Sequence, residues 1–348
     1  MYFLKRTVIA HSHQRASFFK STFWRRKWPL LIALISCVIL VVTLVRVSIV
    51  RETNTPKRDT YLDDVAEDFY REVLRKWYNF SDGKKWYNGM NMSTLSPQLF
   101  RQVLTDIRQN WLIWNHDPNE LYVLQEPNVE DPSMGQSAEI RKIFEDKKNG
   151  FFIECGAYDG ETRSNTLYLE RFREWSGLLI EADPINFTKM LQKNRRAHLS
   201  PTCLSITKSP ALASFLMARN LGRLHAPENT TGDVPTNTAD VAYTGEHIHV
   251  QCFPLTLYIA ALGIKTVDYF SLDVEGNEIE ILETIPFNEV DIKALSVEYI
   301  HNAKGQQYMI DLMNRQGYYV HSFVKQEHNL ANDIIFVKRD TLRNTVRA

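Results

Sequence analysis

Two carboxylates one residue apart, Asp273 and Glu275, follow the apolar run Val267–Leu272 and precede Gly276. At the carboxyl end of a buried strand, such a pair can take up a proton, hold a metal or orient a substrate hydroxyl. Glu298 closes the next apolar run, and His301 follows it closely. Removing a proton from a hydroxyl needs a base of this kind, which makes Asp273, Glu275 and Glu298 the catalytic candidates. The competing use of Asp273 and Glu275 is to cap the helix read at Asn277–Thr284. His301 also suits an ordinary hydrogen-bonded histidine, and no metal is assigned to these residues.

A second constellation lies upstream, in GFFIECGAYDGETRSNTLYLERFREWSGLLIEADP from Gly150 to Pro184. Phe151-Phe152-Ile153 reads as a strand covered on both faces. Gly156 and Gly160 bracket a tight loop in which the backbone can approach a ligand. Thr162 is expected to cap a helix packed through Leu167, Leu169 and Phe172. Gly177 restarts the chain as Leu178-Leu179-Ile180, which ends at Glu181.

In a doubly wound sheet, ligands lie beyond the carboxyl ends of the strands. An acid about twenty residues past the glycine loop can accept hydrogen bonds from ribose hydroxyls. The spacing here is E-x-G-x-x-x-G, wider than the dinucleotide pattern G-x-G-x-x-G, and offers no close pyrophosphate seat. It favours adenosine with an uncharged 5′ substituent, namely S-adenosylmethionine. An ordinary strand-turn-helix would use the same glycines only to turn.

These residues, with CFPL, VDYFSLDVEGNEIEIL, LSVEYIH and NDIIFVKR in that order, resemble the FkbM type of methyltransferase domain over roughly residues 130–340. The flavour is that of the animal membrane-anchored branch typified by protein Star. The resemblance implies a Rossmann-like class I methyltransferase fold with a mostly parallel seven-stranded sheet and helices on both faces. It implies a cofactor pocket of Glu154, Gly156, Ala157, Asp159, Gly160, Glu181 and Asp183, with Asp273 and Glu275 as the acidic motif. FkbM enzymes methylate hydroxyls, often of sugars or polyketides. The Star branch is associated with escorting membrane-bound EGF-receptor ligand precursors out of the endoplasmic reticulum. A type II glycosyltransferase, with Asp273-x-Glu275 as its metal–nucleotide motif, is a third reading that leaves Glu181 without a task.

The chain has 348 residues, 41 basic and 41 acidic, so its formal net charge is zero. The distribution is uneven. Residues 1–27 carry Lys5, Arg6, Arg15, Lys20, Arg25, Arg26 and Lys27 without an acid, and what lies beyond residue 50 is acidic. A nucleic-acid partner would find no basic domain there. The largely apolar stretch 28–50 carries no charge apart from Arg46 and is long enough to cross roughly 30 Å of hydrocarbon. The basic tail before it places the N-terminus in the cytosol and the large domain in the lumen, a single-pass type II arrangement. Endoplasmic reticulum, Golgi, endosomal or plasma membranes are the expected locations. Glycosylation triplets begin at Asn79, Asn91, Asn186 and Asn229.

The expected organisation is a tail (1–27), a membrane helix (28–50), a stem and helical prelude (51–135) and the methyltransferase-like domain (136–340). In the prelude, Val65, Phe69, Val73 and Trp77 share one helical face, and Leu99, Val103, Ile107 and Trp111 another. Both faces are expected to pack on the main domain. From Gly150 onward strands and helices alternate, which argues for an α/β fold. The polar stretch 219–246 suits a lid or an unstructured insertion. Cys203 and Cys252 end apolar runs, and an oxidising compartment would allow them to pair.

Overall fold

The computed structural model describes residues 66–79, 85–218, 222–224, 246–326 and 331–341. The expected tail, the span 28–50 and most of 219–246 lie outside these residues. Among the described residues no helix is long and apolar enough to cross a membrane.

The prelude begins with α1 (Glu67–Val73), which runs on as a π-helical turn through Tyr78. Helix α2 (Pro97–Asn110) starts where its sequence says it should: Ser96 accepts a hydrogen bond from the Leu99 amide, and Pro97 needs no donor at the first turn. Val103, Ile107 and Trp111 are fully buried, so this face packs inward as its spacing requires. Strand β1 (Ile113–Trp114) is followed by a long irregular segment and α3 (Gln136–Ile143).

The α/β unit then runs β2 (Phe151–Cys155), α4 (Leu167–Arg173), β3 (Ser176–Ile180), α5 (Pro184–Leu191) and β4 (Ala197–Ser200). Short strands β5 (Cys203–Leu204), β6 (Ala211–Leu216) and β7 (Arg223–Leu224) precede β8 (His247–Phe253). The chain continues as α6 (Leu255–Leu262), β9 (Thr266–Leu272), α7 (Glu278–Thr284), β10 (Asp291–Glu298), α8 (Gly305–Arg315), β11 (Tyr318–Lys325) and β12 (Asn332–Lys338).

The main sheet has the order β1-β4-β3-β2-β9-β10-β12-β11. Strands β4, β3, β2, β9 and β10 are parallel neighbours, whereas β1, β12 and β11 join antiparallel. The sheet is thus one strand wider than the seven expected, because Ile113–Trp114 pairs with the edge of β4. A second, four-stranded sheet, β5-β8-β6-β7, was not foreseen. The neighbouring short strands β4 and β5 fall in different sheets.

Successive residues of β2 face opposite sides, which builds two cores. Ile153 and Cys155 join Phe270 and Leu295 beneath α2, α6, α7 and α8. Phe152 joins Leu179, Phe187 and Tyr269 beneath α1, α3, α4 and α5. Helices therefore cover both faces. Cys203 and Cys252 stand opposite each other on β5 and β8 and form the disulfide, with Cα atoms 4.4 Å apart. Asn186 is buried within α5, which removes it as a glycan acceptor.

Candidate active site

Register places the chemistry. Cys155 stands level with Ile180 on β3 and Leu272 on β9, and Leu272 is level with Val297 on β10. The residues that follow these positions, Gly156, Glu181, Asp273 and Glu298, therefore meet along one edge of the sheet. The chain runs outward from β2 through β3 and β4, then returns to the other side of β2 as β9 and β10. That reversal makes the gap above β2 and β9 the switch point at which open α/β sheets bind ligands. A cavity of about 280 Å³ lies there, close to the lower bound of small-molecule sites at about 300 Å³.

The glycine loop is held by its own polar side chains. Gly156 has φ +82°, and a Cβ there would sit 1.8 Å from the Asp273 carbonyl oxygen, so only glycine lets β2 and β9 close together. The Asp273 amide donates to the Cys155 carbonyl at 3.1 Å, tying the two loops. Glu154 is buried and accepts from Ser164 Oγ at 2.9 Å, the Asn165 amide at 2.7 Å and Thr166 Oγ1 at 2.5 Å. Burial raises its pKa against the opposing charge of Arg195.

Asp159 accepts from the amides of Glu161 and Thr162 and from the Thr162 hydroxyl. Thr162 thus closes the loop instead of capping a helix, which begins only at Leu167. Gly160 packs on Met190, and its carbonyl accepts from the buried Arg195 guanidinium.

Glu181 stands at the cavity wall, as the ribose reading requires. Its Oε2 accepts from the Tyr158 amide and its Oε1 from the Asp183 amide, both at 2.8 Å. The Asn186 side chain is a further hydrogen-bond partner of this carboxylate. Burial, reinforced by the nearby Asp183, pushes the Glu181 pKa up to about 8. Asp183 has a different job from the one expected. It caps α5 by accepting from the Ile185 and Asn186 amides and does not line the cavity. Asp159 and Gly160 likewise shape the loop from behind, while Glu154, Gly156, Ala157 and Glu181 face the cavity.

At the other end, Asp273, Glu275, Glu298 and His301 come together. His301 Nδ1 lies 2.7 Å from Glu275 Oε2 and 3.0 Å from Glu298 Oε1. Burial opposes the charged imidazole, but the hydrogen bond and charge of Glu275 prevail and raise its pKa. Burial, then Glu275, raises Asp273; burial, then Asp273, raises Glu298. In its ionised form a carboxylate with a raised pKa is the stronger base, which suits accepting a hydroxyl proton.

Several contributors escaped the sequence reading. Glu278 folds back to accept from the Val274 and Gly276 amides, fixing the acidic loop. Asp333 of β12 pairs with Glu298 across the sheet and accepts from Gln136 Nε2 at 2.8 Å. Asn165 donates to Ser271 Oγ but leaves its buried Oδ1 without a donor. An orphaned acceptor on the cavity wall, the Glu181 carboxylate and the apolar Ile180 and Leu204 suit S-adenosylmethionine, which brings an ammonium, a ribose and an adenine.

Residues 154–320 match the family described as the methyltransferase FkbM domain. No curated protein matches the sequence. Among solved structures, the methyltransferase domain of METTL16 is similar at 10% identity and TM-score 0.35, over 82% of this chain and 93% of that one. The N-terminal domain of human METTL16 in complex with SAH is similar at 10% identity and TM-score 0.33, over 81% of this chain and 97% of that one. A putative RNA methyltransferase from Pyrococcus horikoshii aligns at 8% identity and TM-score 0.32, over 69% of this chain and 98% of that one. The family match leaves the glycosyltransferase reading without support. With strands β2, β3, β9 and β10 carrying the loop and the acids, this chain has an α/β Rossmann-like methyltransferase fold, and its residues 154–320 match the methyltransferase FkbM domain.

Proposed function

We propose that this protein binds S-adenosylmethionine above β2 and β3 and moves its methyl group to an oxygen of an acceptor held beside Asp273 and Glu298. The observation that carries this reading is a cavity lined at one end by Gly156, Ala157 and Glu181 and at the other by Asp273, Glu298 and His301. Bound there, the cofactor supplies an electrophilic methyl on a sulfonium centre. Glu181 accepts from the ribose hydroxyls, and the glycine loop brings its backbone close. The acidic end orients the acceptor hydroxyl and takes its proton as the oxygen attacks, so that one C–S bond breaks as one C–O bond forms. The test is transfer of tritium from methyl-labelled S-adenosylmethionine to glycans or proteins of solubilised membranes by the full-length chain. Label that appears with the wild type and is abolished by Glu298→Gln supports the reading. No transfer and no cofactor binding would overturn it.

A second reading has one observation in its favour, the Cys203–Cys252 disulfide, which suits an oxidising compartment. With the apolar stretch 28–50 it supports a type II protein of the endoplasmic reticulum, Golgi, endosomes or cell surface. In that setting the domain serves as a binding module that escorts a membrane-bound growth-factor precursor, as the resemblance to the Star branch implies. Protease protection of the C-terminus in intact microsomes tests the topology. Recovery of an EGF-receptor ligand precursor with the chain tests the cargo.

A further inference from the structure

The acidic end of the cavity holds more negative groups than acceptor activation needs. Asp273, Glu275 and Glu298 converge with His301 from the loops after β9 and β10. One ligating atom from each of Glu275, Glu298 and His301 lies within 4.8 Å of the other two, and the same holds for Asp273, Glu278 and Glu298. Ligands of an octahedral ion at about 2.1 Å stand roughly 3 Å apart when adjacent and roughly 4 Å when opposite. Modest closure about Glu298 would therefore complete a coordination shell.

The present partners do not satisfy this cluster. His301 Nδ1 carries at most one hydrogen, yet two carboxylates approach it at 2.7 and 3.0 Å. Asp273 Oδ1 is buried without a donor. An independent sign comes from across the cavity. Gln136 is only 5% exposed, gives its amide nitrogen to Asp333, and leaves its Oε1 without a donor. Among the described residues, no lysine or arginine forms an ion pair with Asp273, Glu275 or Glu298. Arg223 of β7 is near enough to lower the His301 pKa, but is not paired with these acids. Buried acceptors without donors, beside carboxylates that crowd one imidazole, call for a cation.

We propose that Glu275, Glu298 and His301, with Asp273 completing the set, bind one divalent cation at the acceptor end of the cavity. Carboxylates in the majority with one imidazole favour Mg²⁺ or Mn²⁺ over a thiolate-seeking metal. Glu278 stays outside the shell because backbone amides already occupy it. The ion deepens the methyl-transfer reading, and rests on it only for its use, not for whether it binds. There it draws two neighbouring oxygens of the acceptor into one chelate and makes the attacking hydroxyl more acidic. That use selects acceptors with vicinal oxygens, such as the diols of a sugar.

Mn²⁺ titrated into the full-length chain, in detergent, tests the site through loss of the free-ion paramagnetic resonance signal. Binding of S-adenosylhomocysteine is measured on the same samples. One Mn²⁺ per chain is expected, displaced by Mg²⁺. Glu298→Gln and His301→Gln should each raise the Mn²⁺ Kd at least ten-fold, while the exposed Glu67→Gln leaves it unchanged. If Glu298→Gln does not fold, His301→Gln carries the comparison. Wild type that binds S-adenosylhomocysteine but no Mn²⁺, or Mn²⁺ affinity untouched by both variants, overturns the ion site. Mn²⁺ bound without S-adenosylhomocysteine would keep the ion and reject the cofactor.

Discussion

Glu181 ties burial, charge and recognition together in one side chain. Buried at the end of β3, it prefers the protonated form, with a pKa of about 8, whereas an unfolded glutamate titrates near 4.3. Between those values the folded state holds a proton that the unfolded state has released. Stability of the ligand-free protein therefore carries a term that falls as pH rises from about 4.5 to 8 and levels off above. Glu181→Gln should flatten that slope, which thermal melts of both proteins from pH 5 to 9 will show. An identical pH dependence in the variant would mean that Glu181 is ionised in the folded protein throughout.

Gly156 makes the opposite kind of contribution, through what it lacks. Gly156→Ala forces a side chain into φ +82° and against the Asp273 carbonyl. The backbone conformation alone costs about 1–3 kcal/mol, and relief of the clash must separate β2 from β9. Urea denaturation should report a loss of at least that size, accompanied by weakened cofactor binding.

At the scale of elements, the site exists because four parallel strands end level with one another. That much was legible: apolar runs bounded by glycine or proline, with an acid at each carboxyl end, mark β2, β3, β9 and β10 in the sequence. The second sheet was not legible. β6 is half-buried along most of its length and β7 is two residues long, so neither shows a period; β7 pairs with β6, and β6 with β8 some thirty residues away. The loop acids are ambiguous in sequence for a related reason. An aspartate after a strand serves a ligand or the nearest backbone amides equally well, and only local chemistry separates the two. Asp183 precedes Pro184, the signature of a helix cap. Asp159 precedes Gly160 in a turn that ties its own amides. Glu278 reads as an ordinary helix start, although its carboxylate holds the loop that presents Asp273.

The disulfide also acts at this scale. It joins β5 to β8 beside the cavity wall, across a sequence separation of 49 residues. Replacing both Cys203 and Cys252 by serine should destabilise the domain by about 2–5 kcal/mol in chemical denaturation under oxidising conditions. Equal stability of the double variant and the wild type would show that the thiols are unpaired in the isolated protein.

For the whole molecule, two cores lie on opposite faces of one sheet, and the cavity sits at the rim where both end. The prelude belongs to this body. Trp111 enters one core and Trp77 the other, while Gln251 of β8 exchanges hydrogen bonds with the backbone of Tyr87 at 2.8 Å in both directions. Trimming the chain to the family match at residue 154 would therefore open both cores. The functional account depends on the complete body holding an adenosine-bearing ligand. Calorimetric titration of the full-length chain with S-adenosylhomocysteine is the most direct test. One site per chain is expected, with affinity lowered by Glu181→Ala by about 1–3 kcal/mol, some five- to 150-fold, as ribose hydroxyls lose their acceptor. No heat with the wild type, or equal affinity in the variant, would contradict the account.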